Sequence, residues 1–204
     1  LIQIAAARAL EDAPRLVPAT NRAVQSVREY RRAQLAVLQP VGVLAARVDQ
    51  LERLIGEVVA VEAPVHADDL FGRVAQALGD RKAGSRIVAR LDEVSRAGHR
   101  NGRWVYRNHY FFRRDGKVDV RSRAATGIPG ERVASEEYQA AVRDVLAEIG
   151  PCSEDELVVG VRTLLGFNRT GAKLQTRIDE AILLLIDDGV VGHSARRAGR
   201  GDHP

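Results

Sequence analysis

After Pro40 the apolar positions Leu44, Val48, Leu51, Ile55 and Val58 recur at alternating steps of four and three, which sets them on one face of an amphipathic helix. That face needs a neighbour to bury against. The pattern predicts three successive helices, from about Ala46 to Val61, Ala67 to Leu78 and Gly84 to Ala97, with turns at Ala63-Pro64 and Gly79. Strand-like stretches come next, near Arg103 to Tyr106 and Tyr110 to Arg114, folding back at Arg107-Asn108-His109. Asp115-Gly116 suits a two-residue hairpin turn and can feed a third strand, Lys117 to Arg121. Ahead of Pro40 the chain reads as a helical connector punctuated by Pro14 and Pro18, with Val24, Val27 and Leu38 set among arginines and glutamines.

The same order of elements comes twice. Pro64 and Pro151 lie 87 residues apart, and this offset aligns the segments after the two prolines without a gap. Asp68 matches Asp155, Leu70 matches Leu157, Val74 matches Val161, Leu78-Gly79 matches Leu165-Gly166, Arg90 matches Arg177 and Asp92-Glu93 matches Asp179-Glu180. Three helices and then a hairpin is the order of a winged helix-turn-helix. The expected fold is mainly α with small β-hairpin wings. It comprises a helical connector (1–40), winged-helix copy one (41–123), copy two (124–194) and a flexible tail (195–204). After Val190-Val191 the second copy runs into His193-Ser194-Ala195-Arg196-Arg197, so its wing is expected to be short or absent. Its stretch Ile182 to Ile186 is apolar on every side and is expected to be covered all round.

Composition removes some function classes. With 45% apolar and 28% charged residues the chain can bury a core, and its longest aliphatic run, Ala181 to Ile186, is far short of the roughly 20 residues of a membrane span. The opening Leu1-Ile2-Gln3-Ile4 lacks the basic flank of a signal peptide, and Cys152 is the only cysteine, which fits a reducing cytoplasm. A cytoplasmic, nucleoid-associated location without membrane contact is expected. The chain starts at Leu1 and holds no methionine, so it is read as a piece of something longer.

The net charge of +4 is unevenly placed. Between Arg96 and Arg123 nine basic residues face only Asp115 and Asp119, a local charge of +7 that leaves −3 for the rest. Five of the nine aromatic residues share that window: Trp104, Tyr106, Tyr110, Phe111 and Phe112. A basic strip with interleaved aromatics suits a phosphate backbone, since each neutralised phosphate releases counterions. Solvated arginines around an aromatic hairpin core would read the same way, and Trp104 is expected to anchor the hairpin.

In the third helix Ile87, Leu91 and Val94 form the inward stripe, which turns Arg86 and Arg90 outward above Arg81 and Lys82 in the preceding turn. Copy two repeats this with Leu174, Ile178 and Ala181 inside, Lys173 and Arg177 outside, and Asn168-Arg169 in the turn. Such a helix enters the major groove by its N-terminal half, with Arg103, Arg107, Arg113 and Arg114 of the wing on backbone. Asp92-Glu93 and Asp179-Glu180 would repel a strand at the C-terminal half. No metal is expected at His66-Ala67-Asp68-Asp69, because His66 aligns with Ser153, the start of a capping box, and so marks a helix N-terminus. No nucleotide-binding loop, cofactor motif or catalytic spacing is legible, and Cys152 reads as a small buried residue.

Three phrases, Val61-Glu62-Ala63-Pro64-Val65-His66, Gly84-Ser85-Arg86-Ile87 and Asn108-His109-Tyr110-Phe111-Phe112, resemble a C-terminal domain of formally unknown function. That domain is carried by large bacterial superfamily-I DNA helicase-related ATPases, some with a Vsr-like endonuclease domain upstream. The run Leu164-Leu165-Gly166-Phe167-Asn168-Arg169-Thr170-Gly171 resembles its continuation, so the likeness spans about Tyr30 to Gly192. Ala63 stands where that family has Gly, and Asn108-His109 where it has Gly-Asp. The resemblance implies a non-catalytic module whose motor and nuclease domains lie N-terminal to it and are candidate partners beside duplex or forked DNA. The alternative is a protein-protein scaffold of tandem winged helices, as in chromosome-condensing complexes.

Overall fold

The computed structural model describes residues 2–6 and 27–195, with side chains from 27 to 192. Among the described residues there are six α-helices: α1 (Val48–Glu62), α2 (Ala67–Ala77), α3 (Ser85–Arg100), α4 (Ser135–Ile149), α5 (Glu154–Leu164) and α6 (Ala172–Asp187). The strands are short: β1 (Ile2–Ala6), β2 (Arg28–Glu29), β3 (Val65–His66), β4 (Val105–Arg107), β5 (Tyr110–Phe112), β6 (Arg121–Ser122), β7 (Cys152–Ser153) and β8 (Val191–Ala195). The fold is therefore mainly helical with small sheets. It divides into two compact units, the first of residues 30–119 and 132–134, the second of residues 2–6, 27–29, 120–131 and 135–195.

The bounds of α1, α2, α3 and β3 recur 87 residues later as those of α4, α5, α6 and β7. Equivalent positions are buried in both units. Leu51, Ile55, Val58, Leu70, Val74, Leu78 and Leu91 pair in this way with Tyr138, Val142, Val145, Leu157, Val161, Leu165 and Ile178. Each fully buried aliphatic side chain contributes about 1.5–3 kcal/mol. Leu44 and Val48, expected at the start of the first stripe, are exposed, since α1 begins only at Val48 and its buried face only at Leu51.

The first unit carries a three-stranded antiparallel sheet in the order β3-β5-β4, with Val65 opposite Phe111 and Val105 opposite Phe112. In the second unit the order is β7-β1-β8, all antiparallel, with Ile4 opposite both Cys152 and His193. The last strand of the second unit is thus longer than expected. Val191–Ala195 is a full strand, and its partner is not a following hairpin strand but the chain's own opening segment.

Three further expectations are corrected. Ile2–Ala6 and Arg28–Glu29 are strands and 30–40 holds no helix, where a helical connector was expected; the remainder of that connector, residues 7–26, lies outside the described residues. The physical reason is Glu62, buried at the end of α1, which accepts Tyr30 Oη–H at 2.9 Å and Ala33 N–H at 2.8 Å and pairs with Arg73. A buried acceptor for this stretch outweighs local helix pairing there. Lys117 to Val120 form no strand; Lys117 N–H is held by Asp115 Oδ1 at 3.0 Å, and Arg121–Ser122 pairs in parallel with Arg28–Glu29 instead. Lastly, the cover expected over α6 from the other unit or a second chain is not supplied all round by the described residues of this chain: Ile182 and Leu185 are buried, but Leu183 and Leu184 are 58% and 45% exposed. The expected tail falls, beyond Ala195, outside the described residues.

The starts of α2 and α5 obey the capping logic. Ser153 accepts Glu156 N–H and Glu156 reaches back to Ser153 N–H, a full capping box. His66 caps α2 through Nδ1, which accepts Asp68 N–H at 3.2 Å, while Asp69 pairs with Arg132 at 2.6 Å. Burial pushes the His66 pKa below its ordinary value despite Asp68 and Asp69. Protonation would also remove the cap acceptor. The unfolded chain therefore takes up this proton first, and stability should fall as pH drops through about 6.5. His66→Ser, the residue at the equivalent position 153, keeps a cap that does not titrate. Denaturant melts between pH 7.5 and 5.5 should show a smaller loss of stability for this variant than for the parent; equal losses would refute the assignment.

Candidate nucleic-acid interface

The candidate interface is built from α3 and the β4–β5 hairpin. Leu91, Val94, Ser95 and Gly98 line the inward face of α3, and Trp104 seats its ring there, with Nε1–H donating to Ser95 O at 3.0 Å. A Cβ on Gly98 would lie 2.1 Å from that ring, so only glycine admits it. Phe111 stacks on Tyr106 at 4.4 Å and meets Trp104 edge-on. The hairpin turns through Asn108 and His109, both at positive φ (49° and 63°), the conformation of a two-residue type I′ turn. Trp104 therefore anchors the hairpin to the helix.

This frame sorts the expected contact residues. Arg81, Lys82 and Arg86 are exposed at the start of α3 and make no ion pair among the described residues. Arg90 is half-buried against Glu93 at 3.2 Å. Arg103 pairs with Glu52 at 3.2 Å, Arg107 lies over the Phe112 ring at 4.8 Å, and Arg114 is exposed. Arg113 is held by Asp119 at 3.2 Å and Asp115 at 3.5 Å. Burial raises the Asp119 pKa, but hydrogen bonds from Arg113 and Lys117 outweigh it and hold the carboxyl below its usual value. In the second unit Asn168 and Arg169 are exposed, Lys173 pairs with Glu131 at 2.8 Å, and Arg177 pairs with Glu180 at 3.0 Å beside the Tyr138 ring.

Two members of the basic strip are withdrawn altogether. Arg121 and Arg123 are buried on Glu137 at 2.9 and 2.7 Å, in the second unit. Burial drives the Glu137 carboxyl up, yet the two guanidiniums overcome it and hold the group below its ordinary range. Spacing along the chain gives no sign of this, because an arginine beside an apolar core and one in solvent look alike in sequence.

The ends of the helices differ in a way that matters for anions. The first turns of α1, α2, α4 and α5 carry acids. Those of α3 and α6 carry none, and their N-caps, Gly84 and Gly171, offer no side-chain cap. These two helix ends keep their N–H groups and positive dipole end uncompensated.

A second feature has no signature in the sequence. Arg96, His99, Arg100, Tyr106, Arg107, Asn108 and His109 line an open cleft of about 410 Å³ between the last turns of α3 and the wing. Asp92 fixes part of its wall, accepting Arg96 Nε–H at 2.7 Å and Tyr106 Oη–H at 2.8 Å. Burial and that bond raise the Tyr106 pKa above its ordinary value. Cys152 is buried, and burial pushes its thiol up to about 11, which leaves it unreactive.

Residues 43–89 match the model of a family described as "Protein of unknown function (DUF3320)", which covers α1, α2 and the start of α3. No curated protein and no solved structure matches the chain. Among the described residues no helix is long and apolar enough to cross a membrane.

Proposed function

We propose that the chain is a non-catalytic DNA-binding module of a larger helicase-like ATPase, with two winged-helix units of which the first makes the principal contact. The observation that carries this reading is the start of α3, where an acid-free, uncapped helix end is flanked by exposed Arg81, Lys82 and Arg86. Such an end receives phosphate through backbone N–H groups and the helix dipole, and the basic side chains add the long-range attraction. Arg107 and Arg114 on the hairpin extend the basic surface, while Arg90, Arg103 and Arg113 are engaged by acids and contribute less. Asn168 and Arg169 make a weaker second site before α6, where Lys173 and Arg177 are already paired. The resemblance to helicase-related proteins supports the parent context and the absence of chemistry in this piece.

Arg81→Ala, Lys82→Ala and Arg86→Ala combined should weaken binding to a duplex or forked DNA. The slope of log affinity against log salt should flatten by about 0.9 for each phosphate that is no longer neutralised. An unchanged affinity and slope would overturn DNA binding by the first unit. The purified chain should hydrolyse no ATP and cut no DNA; turnover in either assay would overturn the non-catalytic part.

A second reading has its own observation. Exposed Leu183 and Leu184 on α6, with Val190 just beyond, leave apolar surface on the second unit, which suits a protein contact with the parent's motor domain or another chain. Leu183→Glu with Leu184→Glu should abolish such an assembly and leave DNA affinity unchanged.

A further inference from the structure

We infer that the cleft between the C-terminal turn of α3 and the β4–β5 wing is a binding site for a nucleoside phosphate monoester, at the end of a nucleic-acid strand or as a free nucleotide. The inference deepens the DNA-binding reading and rests on it for the strand-end source. The cleft of about 410 Å³ falls in the size range of small-ligand sites and exceeds what a bare phosphate needs. Three of its seven lining residues are arginines and two are histidines, and none is acidic. Guanidinium forks pair two oxygens at once, which suits the three oxygens and near −2 charge of a monoester better than the single charge of an internal diester.

Asp92 pairs with Arg96 at 2.7 Å and offsets that guanidinium, so the site's charge toward a phosphate rests on Arg100 and Arg107. Asp92 fixes both Arg96 and Tyr106, and His99 Nδ1 sits against the hairpin backbone, 3.3 Å from Trp104 O and 3.4 Å from Tyr106 N. Asn108 and His109 are in the left-handed region, with φ of 49° and 63°, and the turn is fastened where Ala67 N–H donates to His109 O at 2.7 Å. Non-glycine residues kept in that conformation concentrate at binding sites. Basic residues in the last turn of a helix are accounted for by its dipole. The dipole does not account for Arg107 and His109, which reach the same cleft from the wing.

The test uses the whole chain and three probes: adenosine 5′-monophosphate, a single-stranded oligonucleotide with a 5′-phosphate or 5′-hydroxyl end, and a closed circular duplex that has no end. The monophosphate should bind saturably, and the 5′-phosphate should improve oligonucleotide affinity by about tenfold, the worth of one or two charged hydrogen bonds. Arg100→Ala with His109→Gly should remove both effects and leave binding to the circle nearly intact. His109→Gly, better suited to a left-handed turn, should raise Tm while weakening the monophosphate, so that lost binding is not lost folding. No saturable monophosphate binding, or a phosphate preference that survives the double variant, overturns the inference even where the circle binds. Binding of the monophosphate by a chain that ignores the circle would uphold the cleft and refute the DNA reading.

Discussion

Glu137→Gln should destabilise the second unit by about 3–5 kcal/mol, because it removes the charge that balances two buried guanidiniums. Glu137 is fully buried, accepts Arg121 and Arg123 side chains with both oxygens, and accepts Arg121 N–H at 3.1 Å as well. Because the two arginines hold the carboxyl below its ordinary value, the penalty should persist through neutral pH and narrow only in acid below about pH 4.3, as the parent itself protonates. Replacing all three residues by methionine should recover most of the loss, since an apolar cluster has no charge to desolvate. Urea unfolding monitored by circular dichroism measures both. A drop of less than about 1 kcal/mol for Glu137→Gln would show that water, rather than Glu137, satisfies the arginines.

The second large effect concerns the slot under Trp104. Gly98 and Trp104 of the first unit correspond, 87 positions on, to Leu185 and Val191 of the second, and all four are buried. One unit fills the space with a large wing residue over a bare helix; the other does so with a large helix residue under a small strand residue. Gly98→Leu alone should cost more than the roughly 1–3 kcal/mol typical of overpacking, since its Cβ already collides with the indole. Trp104→Val alone should cost about 3 kcal/mol or more through the cavity and the missing bond to Ser95 O. The double variant should be well short of the sum, with a coupling of several kcal/mol in a double-mutant cycle. Additive losses would mean that the two positions do not share one space.

What is legible in the sequence is local. The stripe Ile87, Leu91, Val94 marks one helix face through a period of 3.6, and the alignment of His66 with Ser153 identifies a cap without reference to any distant residue. Trp104 as the wing anchor stands out as an aromatic residue inside an alternating stretch. The features that escape are set by partners distant in sequence. Nothing near Tyr30 announces that Glu62 will take its hydroxyl, and nothing near Val191 announces a strand partner at Ile2–Ala6. The candidate site suffers in the same way: the window from Arg96 to Arg123 counts nine cations, but two are buried on Glu137 and others are matched by Glu52, Asp92 and Asp119. The cleft is invisible in sequence because its lining comes from two elements meeting in space, with Arg100 and Arg107 seven positions apart in the chain.

The pairing of β1 with β8 also sets an order of events during synthesis. Every strand of the first unit's sheet lies between Val65 and Phe112, so that sheet can close while the ribosome is still translating the repeat. The sheet of the second unit joins Ile2–Ala6 to Val191–Ala195, the widest separation in sequence of any strand pair among the described residues. Closing so long a loop adds an entropic delay. Until Ala195 has emerged, β1 can pair only with the two-residue β7, and the edge that β8 will cover stays open to pairing with another molecule.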